Sequence, residues 1–233
     1  MKPLDDIARL RKEYEDRKRR LAGSDLYSLF NPTQLFSIQQ RQRDLLKCLR
    51  FNGFFPLSGR HILEVGCGGG GVMLESLGFG ALAHQLHGAD LLFDRLETAH
   101  EINASLPLTC ADGQNLPYAS QSFNLIMQFT VFSSILDDKV RVNLAREMLR
   151  VIHPGGLIIW YDFWLNPINP QTRGIRPVEI KRLFPNCGFE FHKITLAPPI
   201  ARRVVPVSWG LALFLENLKV FNSHYLVAIK PQG

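Results

Sequence analysis

A glycine-rich turn follows a short apolar run near residue 60, and it is the strongest chemical signal in the chain. The mostly apolar run at 61–65 leads directly into the turn at 66–71, and a helical stretch follows that turn. Glycine permits backbone angles and a close approach that a side chain would forbid, so such a turn can lie against the flat edge of a nucleoside. Asp90 ends the next apolar run, where a carboxylate can accept both hydroxyls of a ribose. Together these features predict a nucleoside-binding site.

The residues around the turn distinguish between nucleotide ligands. A Walker-type phosphate loop requires a lysine after the glycines, and this chain has Val-Met-Leu at 72–74 instead. Gly66, Gly68 and Gly71 can be placed in the register of a dinucleotide-binding turn, but the acidic Glu64 would then face a pyrophosphate and repel it. An acidic strand end suits a ligand that carries a positive sulfonium and an ammonium group. The turn therefore favours S-adenosylmethionine over a phosphate-rich nucleotide.

Over residues 60–165 the sequence resembles the class I S-adenosylmethionine-dependent methyltransferases. Four blocks in the expected order carry the resemblance: ILEVGCGGG at 62–70, GADL at 88–91, ADGQNLPY with the following SFNLI at 111–126, and EMLRVIHPGG at 147–156. One block alone would be weak evidence, whereas four in order are specific. The resemblance implies S-adenosylmethionine as the cofactor, with S-adenosylhomocysteine as its product, and no metal.

The resemblance also implies which residues bind that cofactor. The candidates are Glu64, Gly66, Cys67 and Gly68 at the methionine part, Asp90 and Leu91 at the ribose, Asp112, Gly113 and Gln114 at the adenine, and Gln128 after the fourth strand. In this family an N-terminal segment commonly folds over the cofactor as a lid. Tyr27 is therefore either a cofactor or substrate contact or part of the core that docks the opening helices.

Candidate catalytic residues lie at the end of the fifth predicted strand. Tyr161 and Asp162 are at the carboxyl edge of the predicted sheet, where open α/β sheets bind their ligands. Methyl transfer is an in-line displacement, so positioning can supply much of the rate, and a general base is needed only if the acceptor holds its proton. The alternative for these two residues is structural: Asp162 caps the following turn beside a packed tyrosine.

The elements that must position these residues follow an alternating pattern. Helical periodicity over 4–21 and 32–52 predicts an N-terminal cap at 1–53, and strand-helix alternation from residue 61 predicts the catalytic domain at 54–233. The predicted strands are 61–65, 86–90, 107–109, 123–128, 157–162, 189–196 and 224–230. The predicted helices between them are 71–78, 92–101, 138–151 and 177–184, and a turn at 153–156 is predicted to end the third of them. The expected fold is α/β, a Rossmann-like seven-stranded, mostly parallel sheet with helices on both faces, and its reversed last strand comes from the family resemblance.

The segment 197–222 breaks this alternation, and we expect it to be an insertion because prolines interrupt it before a helical piece near 208–220. Its apolar residues can wall an acceptor pocket or cover the sheet. Arg202 and Arg203 can meet an anionic acceptor, or they form a solvated pair. Residues 9–20 hold seven Lys/Arg and three Asp/Glu, so this helix presents either a solvated face or a surface for RNA or an anionic membrane.

Composition sets the broad class of the protein. The 233 residues are 46% hydrophobic and 21% charged with a net charge of +6, which is typical of a globular domain and excludes a disordered or fibrous chain. The four cysteines are widely separated and form no C-x-x-C pair, so neither a zinc knuckle nor a redox motif is indicated. The charged N-terminus lacks the apolar run of a secretory signal, and a cytoplasmic location is the default expectation.

These observations predict methyl transfer to an oxygen or nitrogen of a small-molecule acceptor, a specialised metabolite or a sugar. An RNA methyltransferase and a non-catalytic binding module on the same fold remain the alternatives. No nucleic-acid module accompanies the basic helix, so no nucleic-acid partner is expected. The expected assembly is a monomer or a homodimer, with no membrane span.

Overall fold

The computed structural model describes residues 3–166 and 169–232, and the first two residues of the predicted cap lie outside the described residues. The described residues form eight α-helices and seven strands. The helices are α1 Pro3–Arg20, α2 Pro32–Phe51, α3 Gly71–Gly78, α4 Phe93–Ile102, α5 Asp138–Val151, α6 Pro177–Leu183, α7 Pro198–Val204 and α8 Trp209–Asn217. The strands are β1 Ile62–Val65, β2 Leu86–Asp90, β3 Leu108–Cys110, β4 Phe123–Phe129, β5 Ile152–Phe163, β6 Cys187–Leu196 and β7 Asn222–Pro231.

The strands form one sheet in the order β3-β2-β1-β4-β5-β7-β6. The pairs from β3 to β5 are parallel, and β7 runs antiparallel to both of its neighbours. This arrangement confirms the predicted fold and its reversed last strand. Because the parallel strands point the same way, the carboxyl ends of β1, β2 and β4 meet at one edge of the sheet.

Alternation along the strands builds a core on each face of the sheet. Ile62 packs into a cluster with Leu45 of α2 and Met73 of α3, whereas the adjacent Leu63 packs into a second cluster with Leu144 of α5. All five side chains are almost completely buried. Burying both faces of a parallel sheet explains why its strands are almost continuously apolar. The helices can then hold the loops at the carboxyl edge in fixed positions.

The junction between α5 and β5 differs from the predicted turn at 153–156. Helix α5 passes directly into β5, which begins at Ile152. Ile152 pairs with Phe123, but the next pairing joins Leu157 to Leu125, so residues 153–156 form a bulge in the long strand. Gly155 supports it with a φ of 78°, a conformation that favours glycine.

The insertion is more helical than its prolines suggested. Pro198 and Pro199 occupy the first turn of α7, where the missing N–H bonds cost nothing, so they begin a helix rather than break one. Helices α7 and α8 bury Ala201 and Ala212 in a small cluster against Phe36 of α2. Trp209 meets the Phe36 ring edge-on at 5.2 Å between centroids. The insertion is therefore packed beside the start of α2.

Helix α1 lies over the loop that follows β4. The buried Asp6 carboxylate accepts the backbone N–H groups of Leu136 and Asp137 at 3.1 and 3.2 Å, and it receives Arg9 Nε at 2.7 Å. Arg9 also donates to the carbonyl of Ser134 at 2.6 Å. These bonds hold the helix at the carboxyl edge of the sheet.

We expect Asp6→Ala to loosen α1 on the domain. The substitution leaves two backbone donors and a guanidinium without their buried acceptor, which costs about 2 kcal/mol. Amide hydrogen exchange in α1 should accelerate about 30-fold if that loss is local. Asp16→Ala is the matched control, since its ion pair with Arg19 is exposed and contributes little. Equal exchange rates in the two variants would contradict this role for Asp6.

Candidate functional site

The glycine-rich turn connects β1 to α3. Gly66 and Gly68 adopt φ values of 71° and 53°, in the left-handed region that favours glycine. A Cβ atom on Gly66 would overlap the side chain of Val131, and one on Gly68 would overlap the guanidinium of Arg95. The Val131 side chain leaves no room for a Cβ at Gly66, whereas the flexible Arg95 side chain can move away from Gly68, so the positive φ is what favours glycine at position 68.

Asp90 ties this turn to the end of β2. Its side chain is 6% exposed, with one carboxylate oxygen accepting Gly68 N–H at 2.8 Å and the other accepting Leu92 N–H at 2.9 Å. A carboxylate oxygen can accept more than one hydrogen bond, so acceptor capacity remains after these two. Arg95 Nη1 lies 4.0 Å from Asp90, at the limit of an ion pair.

The loop after β3 is fixed by a second carboxylate. Asp112 accepts both the backbone N–H of Gln114, at 2.9 Å, and its side-chain amide, at 3.1 Å. Asn143 of α5 donates to the Gln114 side chain at 3.0 Å. Gly113 packs closely against Leu144, because a Cβ on Gly113 would lie 2.6 Å from that side chain. This packing also holds the loop in place.

Most of the predicted cofactor residues line a cavity of about 490 Å³, here called the first cavity. The predicted residues that line it are Tyr27, Gly66, Asp90, Leu91, Asp112, Gly113 and Gln114. Helix α1 closes one side with Ile7, Leu10 and Tyr14. The volume lies in the range of small-molecule sites.

Four predicted cofactor residues lie elsewhere. Glu64, Cys67 and Gln128 are buried and, with Gly68, are not among the described residues that line the first cavity. Gln128 accepts the backbone N–H of Val131 at 3.1 Å, so it holds the loop after β4. Gly68 acts through its bond to Asp90.

Glu64 belongs to a buried charged cluster that the sequence did not reveal. Arg41 of α2 forms an ion pair with Glu75 of α3, and its guanidinium lies over the rings of Phe129 and Tyr161 at 5.3 and 5.7 Å. Burial raises the pKa of Glu64 well above its usual range, and the Arg41 charge offsets part of that effect. Glu64 Oε2, Glu75 Oε2 and Arg41 Nε lack hydrogen-bond partners among the described residues.

A second cavity of about 810 Å³ adjoins the first. The two share a wall of six residues, Tyr14, Arg17, Leu21, Tyr27, Thr130 and Ser134. Thr130 has a φ of 58°, and its N–H donates to the carbonyl of Tyr161 at 2.8 Å. A non-glycine residue in this conformation is uncommon and often marks a functional position.

The two predicted catalytic residues have different surroundings. Tyr161 lines the second cavity, and its hydroxyl is hydrogen-bonded to Thr195 at 2.9 Å. Asp162 is 1% exposed and does not belong to the described lining of either cavity. It accepts Ser133 N–H at 3.0 Å and Phe163 N–H at 2.8 Å, so it holds the loop after β4 and does not cap the turn that follows β5. Burial raises its pKa to about 6 despite these bonds.

His224 of β7 lines the second cavity and was missed by sequence reasoning. Its ring stacks on Tyr161 at 4.7 Å and 5°, and its Nδ1 lies 3.0 Å from Ser223 Oγ. Burial, reinforced by the Arg41 charge, lowers the pKa of His224 to about 3. The imidazole is therefore neutral at physiological pH. No motif marks β7, so only strand pairing reveals this neighbour.

Arg95 and Arg41 were also missed, because their importance depends on elements distant in sequence. Arg95 lies over the Tyr14 ring at 4.7 Å as well as beside Asp90. Within residues 3–166 and 169–232, no group of three His, Cys, Asp or Glu side chains is arranged to hold a metal ion.

Comparison with known proteins agrees with this geometry. Residues 62–156 match the family model described as a methyltransferase domain. The sterol 4-C-methyltransferase strm-1 of Caenorhabditis elegans is 33% identical over 109 residues, which cover 44% of this chain and 30% of that protein. A ubiquinone biosynthesis O-methyltransferase of Cereibacter sphaeroides is 25% identical over 222 residues, covering 82% of each chain.

A solved structure shows the same fold. Phosphoethanolamine N-methyltransferase 1 of Haemonchus contortus, in complex with phosphoethanolamine and S-adenosylhomocysteine, superposes with a TM-score of 0.63 at 15% identity, covering 96% of this chain and 49% of that one. The four sequence blocks and the domain match over residues 62–156 support a class I S-adenosylmethionine-dependent methyltransferase. The chain is an enzyme of that class, with S-adenosylmethionine as its cofactor.

The described residues fit this cofactor. The first cavity offers carboxylate oxygens at Asp90 and Asp112, the acceptors that ribose hydroxyls and an adenine amino group require. Arg41, which lines the second cavity, has an Nε without a partner among the described residues, and this donor suits the carboxylate of a free amino acid. Glu64 Oε2 also lacks such a partner, but Glu64 lines neither cavity.

The pKa of Glu64 predicts a pH-dependent stability. The folded chain holds this proton more tightly than the unfolded chain does, so its contribution to stability is greatest at low pH and is lost as the pH rises through the folded pKa. Glu64→Gln removes the titration, and we expect the variant to gain stability relative to the original protein between pH 5 and pH 8. Urea unfolding at both pH values measures this. A difference that does not change with pH would contradict it.

Proposed function

We propose that the chain transfers a methyl group from S-adenosylmethionine to an oxygen or nitrogen of a small-molecule acceptor, a specialised metabolite or a sugar, held in the second cavity. The carrying observation is the shared wall at Tyr14, Tyr27 and Thr130, which places an acceptor-sized cavity directly beside the first cavity. In-line transfer requires the methyl donor and the acceptor atom to meet across such a wall. The relatives named for O- and N-methylation support this reaction type.

We propose that two carboxylates and the charged cluster make the contacts to the cofactor. Asp90 would accept the ribose hydroxyls, Asp112 the adenine amino group, and Glu64 with Arg41 would hold the amino-acid end. When bound, S-adenosylmethionine supplies an activated methyl group on a sulfonium. Residues 1–53 would act as a cap over residues 54–233, since α1 already closes one side of the first cavity.

The proposed positioning residue is His224, whose neutral imidazole lines the second cavity. A neutral imidazole can accept a hydrogen bond from an acceptor hydroxyl and orient its oxygen. Stacking on Tyr161 and the bond to Ser223 would fix its ring. Because its pKa is lowered to about 3, the imidazolium is disfavoured, and the proton of the acceptor would pass to water.

A small molecule is favoured over RNA by the pairing of charges on α1. Arg9, Arg19 and Arg20 form ion pairs with acidic residues of the same helix, and Lys18 pairs with Asp94. Paired charges release fewer counterions from a nucleic acid and so contribute less to its binding. This supports the solvated-face interpretation of the basic helix.

We expect Asp90→Ala to weaken S-adenosylhomocysteine binding about 100-fold, because a charged acceptor of two ribose hydroxyls contributes about 3 kcal/mol. Isothermal titration calorimetry measures the affinity, and circular dichroism establishes that the variant is folded. The exposed Glu97→Ala on α4 is the control and should bind normally. Unchanged affinity in a folded Asp90→Ala variant would reject the proposed ribose contact.

We expect His224→Ala to slow methylation of a hydroxyl acceptor by a factor of about 10², the usual cost of losing the orientation of a reacting group. A panel of phenols, alcohols and sugars with radiolabelled S-adenosylmethionine identifies the acceptor and measures the rate. Affinity for S-adenosylhomocysteine should stay within about twofold of the original value, as expected for a residue outside the first cavity. The exposed His192→Ala on β6 is the control, and equal rates in both variants would exclude His224 as a positioning residue.

A further inference from the structure

The rim of the second cavity carries large apolar side chains that face solvent. Tyr27, Leu165 and Val220 all line this cavity, yet they are 53%, 51% and 71% exposed. Phe221, also in the lining, is 39% exposed. These residues come from three separate segments of the chain, so tertiary structure gathers them around one opening.

Helix α8 carries a second set of exposed apolar side chains. Leu211 and Phe214 are 46% and 59% exposed, and Leu218 just beyond the helix is 45% exposed. Their spacing of three and four residues places them on one helical face, while Ala212 and Glu216 are buried on the other. The exposed face of α8 is therefore an apolar stripe with no covering element among residues 3–166 and 169–232.

A turn beside α8 adds the most exposed aromatic ring. Phe30 is 96% exposed in the turn that precedes α2, and Leu29 next to it is 59% exposed. The contact of Phe36 with Trp209 holds the starts of α2 and α8 together, so this turn and the stripe are neighbours. We call the eight residues Tyr27, Leu29, Phe30, Leu211, Phe214, Leu218, Val220 and Phe221 the mouth surface.

The charges around the mouth surface are mostly basic. Arg202 and Arg203 of α7 are exposed, whereas Glu216, the one acidic residue of segment 197–222, is buried and paired with Lys219 at 2.9 Å. Arg17 and Arg20 of α1 also line the second cavity, where Arg20 is paired with Glu13, and Asp25 is exposed two residues before Tyr27. Apolar side chains flanked by arginines complement the acyl boundary and the anionic headgroups of a bilayer.

We propose that the mouth surface docks on an anionic lipid bilayer and that the second cavity takes from it an acceptor with an apolar anchor. The second part rests on the proposed function, since it requires the second cavity to bind the acceptor. A protein that covered the rim permanently would close the route into the cavity. A bilayer covers the same rim and also supplies the acceptor, so it accounts for both the exposed apolar side chains and the opening among them.

Flotation of the full chain with vesicles tests the docking without requiring activity. We expect binding to phosphatidylcholine vesicles containing phosphatidylglycerol, and much weaker binding to phosphatidylcholine alone or in 0.5 M salt. The double substitution Phe30→Ser with Phe214→Ser should lower the partition coefficient at least about tenfold. Arg202→Gln should lower it about fivefold for anionic vesicles.

Phe51→Ser is the matched control, because Phe51 is 79% exposed at the far end of α2, about 30 Å from the turn at Phe30. It should bind vesicles like the original protein. Absence of binding to anionic vesicles, or equal loss in the control and the double variant, would overturn the proposal. So would a dimer in analytical ultracentrifugation that the double substitution dissolves, since a second copy would then cover the surface. Calorimetry with S-adenosylhomocysteine on the same variants tests the proposed function separately.

Discussion

The bond from Gly68 N–H to the Asp90 carboxylate is the interaction on which the site depends. It joins the turn after β1 to the end of β2, two points that the parallel sheet brings to the same edge. Because the carboxylate is buried, losing it would leave backbone donors unpaired in the interior, and both loops would lose their fixed positions. The turn needs glycine because φ is positive at residues 66 and 68 and because Val131 lies close to Gly66. Cofactor binding at this edge therefore relies on backbone geometry that the core clusters on both sheet faces hold rigid.

Around that edge, carboxylates with similar burial have different tasks. Asp90 and Asp162 each accept two backbone N–H groups, but only Asp90 lines the first cavity, whereas Asp162 stabilises the loop after β4. Glu64 lies beside Arg41, a residue of the N-terminal segment, so α2 contributes charge to the carboxyl edge as well as apolar packing. Helix α1 closes the first cavity while Asp6 anchors it to the loop before α5. The N-terminal segment thus provides a wall, a charge and part of the boundary between the two cavities.

Much of the fold could be predicted because the alternation of apolar runs and helical stretches is strong. The boundaries of α3 and α5 agree with their predictions, and most strands begin and end within two residues of theirs. The prediction was wrong where one residue type has two uses. Prolines 198 and 199 begin a helix instead of breaking one, and the glycines at 155–156 lie in a bulge of β5 instead of a separate turn. Local sequence does not distinguish these uses, since each depends on what packs against the segment.

From the sequence alone came the class of the protein and its cofactor, because the glycine turn and the acidic strand ends are local motifs whose chemistry needs only a few adjacent residues. The alternation of strands and helices along the chain was also evident from sequence, whereas the order of the strands in the sheet was not. Tertiary structure alone decided what surrounds the second cavity. Arg41, Thr130 and His224 come from α2, the end of β4 and β7, and no spacing in the sequence links them. The exposed apolar rim also depends on tertiary structure. Sequence alone predicts that hydrophobic residues are buried, and only the packing shows that these side chains are exposed. A local motif indicates which ligand its turn can bind, whereas packing between distant segments decides which side chains surround the neighbouring cavity.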